Sequence, residues 1–176
     1  MGDRNRVNVG DRLTSLPDDI IHKILSFVSI KRAVKTSVLS SRWRFIWTSM
    51  PYLSFSCEDF HTLPKLSNFV KHVLSGRYNQ TEVSSVKLRF RGKVSQAFVK
   101  RILNYAFSHN AQQLNFIFLY EKKTKILEIP LSLFSSQSLK HLTLTGYGDD
   151  VHFITIPTWE IQALAILNLK SCLIAL

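Results

Sequence analysis

The feature that most constrains the fold is a short apolar pattern that occurs four times between residue 83 and residue 169. Each copy has an apolar residue, two variable residues, a second apolar residue, one variable residue and a third apolar residue. The copies are Val83/Val86/Leu88, Leu114/Ile117/Leu119, Leu139/Leu142/Leu144 and Leu164/Leu167/Leu169. Their starting points are 31, 25 and 25 residues apart. A single copy occurs easily by chance, but four in succession predict a repeat in which each unit adds one strand to a parallel sheet.

The sequence between the strands supports this interpretation. Residues 95–110 have apolar side chains at helical spacing, and turn-forming residues occur at 129–130, 134–136 and 146–150. Two of the intervals fall within the leucine-rich-repeat period, and the last copy continues to Cys172 and Ile174. An ordinary α/β domain is the alternative.

In a leucine-rich repeat, the recurring apolar residues point into the core and the residues between them form a concave sheet surface that binds partners. The predicted surface residues form a possible substrate face, made of Lys87, Arg89, Asn115, Phe118, Lys140, Thr143, Asn168 and Lys170.

Residues 11–51 predict three short helices that carry more apolar side chains than so small a module can bury. The first helix is expected from Asp18 to Val28, and the second from Lys31 to about Val38. The third is capped by Ser40 or Ser41 and ends at Pro51. A wide apolar stripe of this kind either binds a partner or packs on the rest of the chain.

The same residues resemble the F-box motif in its plant F-box/leucine-rich-repeat form. The matching segments are Leu16–Ile21, Ile24–Phe27, Ala33–Val34, Thr36–Ser40 and Arg42–Arg44, followed by Trp47. The chain departs from the common pattern at Ser29, where proline is frequent, and at Arg32, where an acidic residue is common.

This resemblance implies a substrate-recruiting subunit of a Skp-cullin-F-box ubiquitin ligase, with no catalytic activity of its own. The F-box would bind the Skp adaptor, and the repeats would hold a protein target while other subunits transfer ubiquitin. The resemblance places adaptor contacts at Leu16, Pro17, Ile20, Ile24, Leu25, Val38, Leu39 and Trp43.

Composition indicates an intracellular globular protein, cytoplasmic or nuclear. No apolar run approaches the length of a membrane span, and the polar first residues lack a signal-peptide core. The two cysteines, Cys57 and Cys172, are far apart, which suggests no disulfide framework.

The formal net charge of +11 arises from the first part of the chain. Lysine and arginine outnumber acidic residues by nine to four in residues 1–50 and by nine to three in 51–110, and are balanced beyond. A basic helical nucleic-acid-binding protein, using Lys31, Arg32, Lys35, Arg42 and Arg44, is therefore one alternative. The apolar bulk of the third helix argues against it, and a solvated basic face or an acidic partner is favoured.

No catalytic, cofactor-binding or metal-binding motif is recognisable. The histidines are scattered, and neither a phosphate-binding glycine loop nor a nucleophile elbow occurs. We therefore predict no enzyme activity and no cofactor.

The predicted architecture is of α+β or α/β class, a three-helix F-box module followed by a short, incomplete leucine-rich-repeat solenoid. Residues 1–10 are expected to be a flexible N-terminus, 11–51 the F-box, 52–82 a linker with a helical segment, and 83–176 the repeats. About four strands are expected, with no capping repeat at the C-terminus. A further alternative is therefore a shortened F-box protein that binds the adaptor without delivering a substrate.

Overall fold

The computed structural model describes residues 15–91, 95–119, 126–128, 136–147, 152–155 and 163–175. The predicted flexible segment 1–10 and most of the predicted turn residues in 129–135 and 148–150 lie outside this range.

The N-terminal helices are α1 (Asp18–Leu25), α2 (Ile30–Lys35) and α3 (Trp43–Ile46), with 3₁₀ turns at Thr36–Val38 and Trp47–Ser49. Helix α1 ends three residues earlier than predicted, because the Phe27 N–H donates to the Ile24 carbonyl in a tighter turn. Neither predicted cap, Ser40 or Ser41, is the N-cap residue of α3, which is Arg42, but the Ser40 Oγ accepts a hydrogen bond from the Trp43 N–H at 3.3 Å.

The segment 52–82 was predicted to be a linker with one helix, but it also contains a strand of the main sheet. Strand β1 (Tyr52–Ser56) pairs in parallel with β2 (Ser85–Arg91). Its side chains alternate, with Leu53 and Phe55 buried. A 3₁₀ turn at Cys57–Asp59 follows, and then α4 (Leu63–Ser75), the helix predicted within this segment.

Five strands form the main sheet within the described residues. Besides β1 and β2 they are β3 (Gln113–Leu119), β5 (His141–Tyr147) and β7 (Ile166–Lys170), all parallel, in the order β1-β2-β3-β5-β7. Helix α5 (Gln96–Ser108) connects β2 to β3, as the sequence predicted, and the Ser95 Oγ accepts from the Phe98 N–H at its start. The predicted parallel, strand-by-strand arrangement is therefore present.

The strand register corrects the position of the second repeat. Val86, Leu114, Leu142 and Leu167 lie side by side on adjacent strands, so the strands recur after 28, 28 and 25 residues. The second copy therefore starts at Ala111, which is fully buried. Ile117 and Leu119 were predicted to point into the core, but they lie on the partly exposed side of the sheet.

A second, three-stranded parallel sheet contains β4 (Ile126–Glu128), β6 (His152–Thr155) and β8 (Cys172–Ala175). Cys172 and Ile174 were predicted to continue the last repeat strand, but they belong to β8. The chain changes direction at Ser171, whose φ of 54° lies in the left-handed region.

One hydrophobic core extends from the N-terminal helices to β5. It includes Ile21, Trp43, Phe55, Leu103 and Leu144, none more than 5% exposed. The N-terminal helices and the sheet therefore share their apolar interior.

A buried arginine reinforces this junction. Arg77 is 4% exposed and donates to the Trp47 carbonyl (3.2 Å), the Met50 carbonyl (2.6 Å) and the Tyr105 hydroxyl (3.1 Å). Burial lowers the pKa of Arg77, and the bond to Tyr105 opposes this effect. One side chain thus ties the residues after α3 to helix α5.

Candidate functional site

The N-terminal helices leave six large apolar side chains exposed. We call these residues the docking surface: Ile20, Ile24, Phe27, Val38, Leu39 and Phe45. Val38 is 87% exposed and Phe27 is 78% exposed, so they gain little from burial within the folded chain. Large exposed apolar side chains concentrated on one small module are typical of a protein-binding surface.

The predicted adaptor contacts differ in how far the folded chain exposes them. Pro17, Ile20, Ile24, Val38 and Leu39 are exposed, and Leu16 is partly buried against the core. Leu25 and Trp43, however, are only 3% exposed. Their prediction as contacts conflicts with this burial, because the Ile21/Leu25 row of α1 faces the core while the Ile20/Ile24 row faces outward.

Sequence reasoning missed Phe27 and Phe45 as exposed candidates. Phe27 was assigned to the apolar stripe of a longer helix, although α1 ends before it. Phe45 lies between Trp43 and Ile46, and both of these neighbours are buried. Phe45 does not share the helical spacing of Trp43, Ile46 and Trp47. This was the sequence signal that could have identified Phe45 as an exposed residue.

Polar contacts fix the relative positions of α1 and α3. The Arg42 guanidinium lies 2.5 Å from the Asp18 carboxylate. The His22 Nε2 lies 3.2 Å from the Ile46 carbonyl and 3.1 Å from the Ser49 hydroxyl. The apolar side chains of the docking surface are therefore presented by a module with defined geometry.

Several basic residues of these helices contact groups within the protein. The Lys31 ammonium donates to the Asp59 carbonyl and lies 4.1 Å from the centre of the Phe60 ring. Arg32 lies 4.0 Å from the Asp59 carboxylate, and Arg42 contacts Asp18. These contacts reduce the positive charge that α2 and α3 could present to a nucleic acid.

The five-stranded sheet has one open face. On β2, β3, β5 and β7, the residues that alternate with the core positions are partly or fully exposed. The register forms two rows across these strands. The first is Lys87, Asn115, Thr143 and Asn168, and the second is Arg89, Ile117, Thr145 and Lys170.

Six of the eight predicted substrate-face residues therefore lie on this open face. Phe118 does not, because it is 4% exposed and its ring packs near Phe90 and Phe116 on the core side. The prediction followed the misplaced second repeat and is wrong for this residue. Lys140 is exposed but lies just before β5.

The open face contains a shallow depression of about 230 Å³. Its outward-facing lining consists of Ser85, Gln113, Asn115, His141, Thr143, Ile166 and Asn168. Most of these side chains are amides and hydroxyls, which can form hydrogen bonds with another chain.

A larger depression of about 490 Å³ lies beside the start of α4 and is lined by Cys57, Glu58, His61 and Arg91, among others. Burial, and secondarily the Glu58 charge, raises the pKa of the Cys57 thiol. A raised pKa opposes formation of the reactive thiolate, so this cysteine is not an activated nucleophile.

In the described part of the chain, histidine, cysteine and acidic side chains form no group of three that could hold a metal ion. Nor is any helix in those residues long and apolar enough to cross a membrane.

Comparisons with known proteins find a matching domain family over the helical region and relatives that match most of the chain. Residues 13–55 match the F-box domain family. F-box/LRR-repeat protein At5g02910 of Arabidopsis thaliana is 30% identical over 92% of this chain and 33% of its own length. FBD-associated F-box protein At5g60610 is 36% identical over 78% of this chain and 34% of its own length. F-box/LRR-repeat protein 25 is 34% identical over 76% of this chain and 49% of its own length. These last two relatives are also from Arabidopsis thaliana.

The chain thus spans about a third of the first two relatives and about half of the third. No solved structure matches it.

Proposed function

Because the chain belongs to the plant F-box/leucine-rich-repeat family, we propose that it is a non-catalytic subunit of a Skp-cullin-F-box ubiquitin ligase. Its F-box helices dock on the Skp adaptor, and the adaptor links it to the cullin and the catalytic subunits.

The docking surface carries this proposal. Its apolar side chains lie on a module whose own core is already filled by Ile21, Leu25 and Trp43. Association with an adaptor removes the exposed side chains from water, which favours binding by about 25 cal/mol for each Å² of apolar area buried. Two phenylalanines among them fit the aromatic enrichment of interface hot spots.

The second part of the proposal concerns the repeats. We propose that the strands are the first units of a leucine-rich-repeat solenoid, and that its open face holds a protein target. Adaptor docking and target binding then act by proximity, because both partners are held on one chain while another subunit transfers ubiquitin. The continuous core supports this proposal, since it joins the two binding surfaces.

The nucleic-acid alternative receives less support. Trp43 and Ile46 on α3 are buried, and the exposed residues of this helix are Arg44 and the apolar Phe45, so its outer face offers one polar side chain for reading bases. Arg42 and Arg32 lie against acidic side chains. The adaptor proposal accounts for the exposed apolar residues, which the alternative leaves unexplained.

The docking part can be tested by binding the full chain to a purified plant Skp adaptor. The variant Ile20→Ser/Ile24→Ser removes two exposed apolar side chains and should weaken binding at least about tenfold. Leu63→Ser/Tyr78→Ser is the matched control, because these residues are also exposed apolar side chains but lie at the two ends of the α4 region.

Both variants should unfold at nearly the same temperature as the parent, which circular dichroism can verify. Undiminished adaptor binding by the Ile20/Ile24 variant, or equal weakening by the control, would contradict the proposed docking surface.

A further inference from the structure

The open face of the main sheet has an uneven charge distribution. Its strands contribute Lys87, Arg89 and Arg91 from β2 and Lys170 from β7. Among the described residues of these strands, no acidic side chain faces the same way. The face therefore attracts negative charge.

Glu58, on the 3₁₀ turn after β1, is the acidic residue within the described ranges that forms a salt bridge with a cation of this face. One of its oxygens lies 3.2 Å from the Arg89 Nη2. Both side chains are about 40% exposed, so solvent weakens this pair, and the guanidinium keeps other donors for a ligand. Lys87 and Lys170 are exposed and make no salt bridge with a described residue.

The polar groups between these cations suit an extended peptide. Asn115, Thr143 and Asn168 follow Lys87 in one row. The Thr143 hydroxyl and the Asn168 amide can donate to or accept from a peptide backbone, whereas the Asn115 Oδ1 is buried. Nucleic acid is disfavoured because recognition on a sheet usually needs neighbouring aromatic rings for base stacking. On this face the tyrosines Tyr52 and Tyr147 lie on β1 and β5, which two strands separate.

From this arrangement we infer that the open face binds an acidic, extended protein segment that crosses the strands. This inference rests on the proposed function, since it specifies the class of target that the repeats hold. The row from Arg89 to Lys170 spans three strand spacings, about 14 Å, which corresponds to about four residues of an extended chain. The preferred segment therefore has two acidic side chains about four positions apart.

The test measures direct binding of fluorescein-labelled nonapeptides to the full chain, without adaptor, by fluorescence anisotropy at low salt. One peptide has glutamates at its third and seventh positions in a serine, threonine and glycine background. A second has the two glutamates adjacent, and a third has glutamines in their place. The spaced peptide should bind several-fold more tightly than the adjacent one, and the glutamine peptide most weakly.

Two charge-reversal variants locate the site. Lys87→Glu/Lys170→Glu changes the open face and should weaken binding of the spaced peptide about tenfold. Lys100→Glu/Arg101→Glu changes the charge equally on exposed positions of α5 and should alter binding less than about twofold. Helix α5 lies against the other face of the sheet, where its Phe98 contacts Phe90.

Equal weakening by both variants would show non-specific attraction and overturn the inference, as would equal binding of the glutamate and glutamine peptides. A mixed-sequence single-stranded oligonucleotide that binds more tightly than the spaced peptide, through the same two lysines, would overturn it in favour of nucleic acid. Adaptor binding is measured on the same variants. If the parent chain binds the adaptor but not the spaced peptide, this inference alone is contradicted, whereas a parent chain that does not bind the adaptor contradicts the docking proposal.

Discussion

The two ends of the main sheet contain similar repeat positions in different surroundings. Near the helical end, Leu53 and Phe55 of β1 are each 2% exposed. At the other end, Leu167 and Leu169 of β7 are each 37% exposed, although their register partners on β5, Leu142 and Leu144, are fully buried. The same residue type at the same repeat position is therefore buried or exposed according to its neighbours.

This difference shows what a repeat needs from the elements beside it. Each strand in such an array has an apolar side that its own unit covers only in part, and the next unit covers the remainder. At the β1 end, the N-terminal helices take that role through Ile30, Met50 and the other residues of the shared core. The N-terminal helices thus cover the first strand in addition to the docking role that we propose for them.

The largest effect is expected when two leucines that lie side by side on β5 and β7, Leu144 and Leu169, are each replaced by alanine. Leu144→Ala should reduce the free energy of unfolding by about 3 kcal/mol, because it creates a cavity in a fully packed site. Leu169→Ala should cost about 1 kcal/mol or less, since its site is already open to water. Urea unfolding followed by circular dichroism measures both. Equal losses would show that the β7 end is covered as well as the centre.

The second prediction concerns the covered end. Arg77→Met should reduce the free energy of unfolding by about 2 kcal/mol, because the Trp47 and Met50 carbonyls lose their buried donor. Arg101→Met, at an exposed position of α5, is the control and should change stability by less than about 0.5 kcal/mol. Thermal unfolding of both variants tests this, and similar melting temperatures would mean that Arg77 does not stabilise the junction.

The third prediction uses the raised pKa of Cys57, which follows β1. In a Cys172→Ser background, an aromatic disulfide reagent at pH 8 should react with the folded protein several-fold more slowly than with the urea-unfolded chain. The folded state favours the neutral thiol. The contribution of Cys57 to the free energy of unfolding is therefore fully present below the ordinary thiol pKa. That contribution is lost as pH rises through the raised value. Equal rates in the folded and unfolded states would contradict the raised pKa.

The smallest expected effect is on the docking surface. Val38→Thr should change the free energy of unfolding by less than about 0.5 kcal/mol, because Val38 is 87% exposed. Val70→Thr has the same chemistry in a fully buried site on α4 and should cost about 1 to 2 kcal/mol. A substantial loss of stability at Val38 would indicate that this side chain packs within the folded protein and is not free for a partner.

Much of the fold was predictable because it depends on local periodicity. The helix at 95–110 and the strands around Val86, Leu142 and Leu167 follow directly from their apolar spacing. Strand β1 was also readable, since Met50, Leu53 and Phe55 repeat the spacing of Val83, Val86 and Leu88. It differs from the four predicted copies in having Met50 at the first position and Phe55 at the third, where they have Leu or Val.

The errors have a common physical origin. The second repeat was assigned to Leu114, Ile117 and Leu119 because these are large, whereas the structure places the small Ala111 at the first core position. Phe118 was then assigned to the wrong face, since a shift of three residues reverses which side chains of a strand point inward. Size alone therefore does not identify the core positions of a short strand.

Sequence by itself determined the N-terminal helices, helix α5, the parallel repeat and the excess of apolar residues on the N-terminal helices. Only the tertiary structure decided which members of that excess remain exposed: it buries Leu25 and Trp43 and leaves Ile20, Ile24 and Phe27 at the surface. The physical reason is that periodicity defines the faces of a helix or strand, whereas burial depends on which distant element packs against each face.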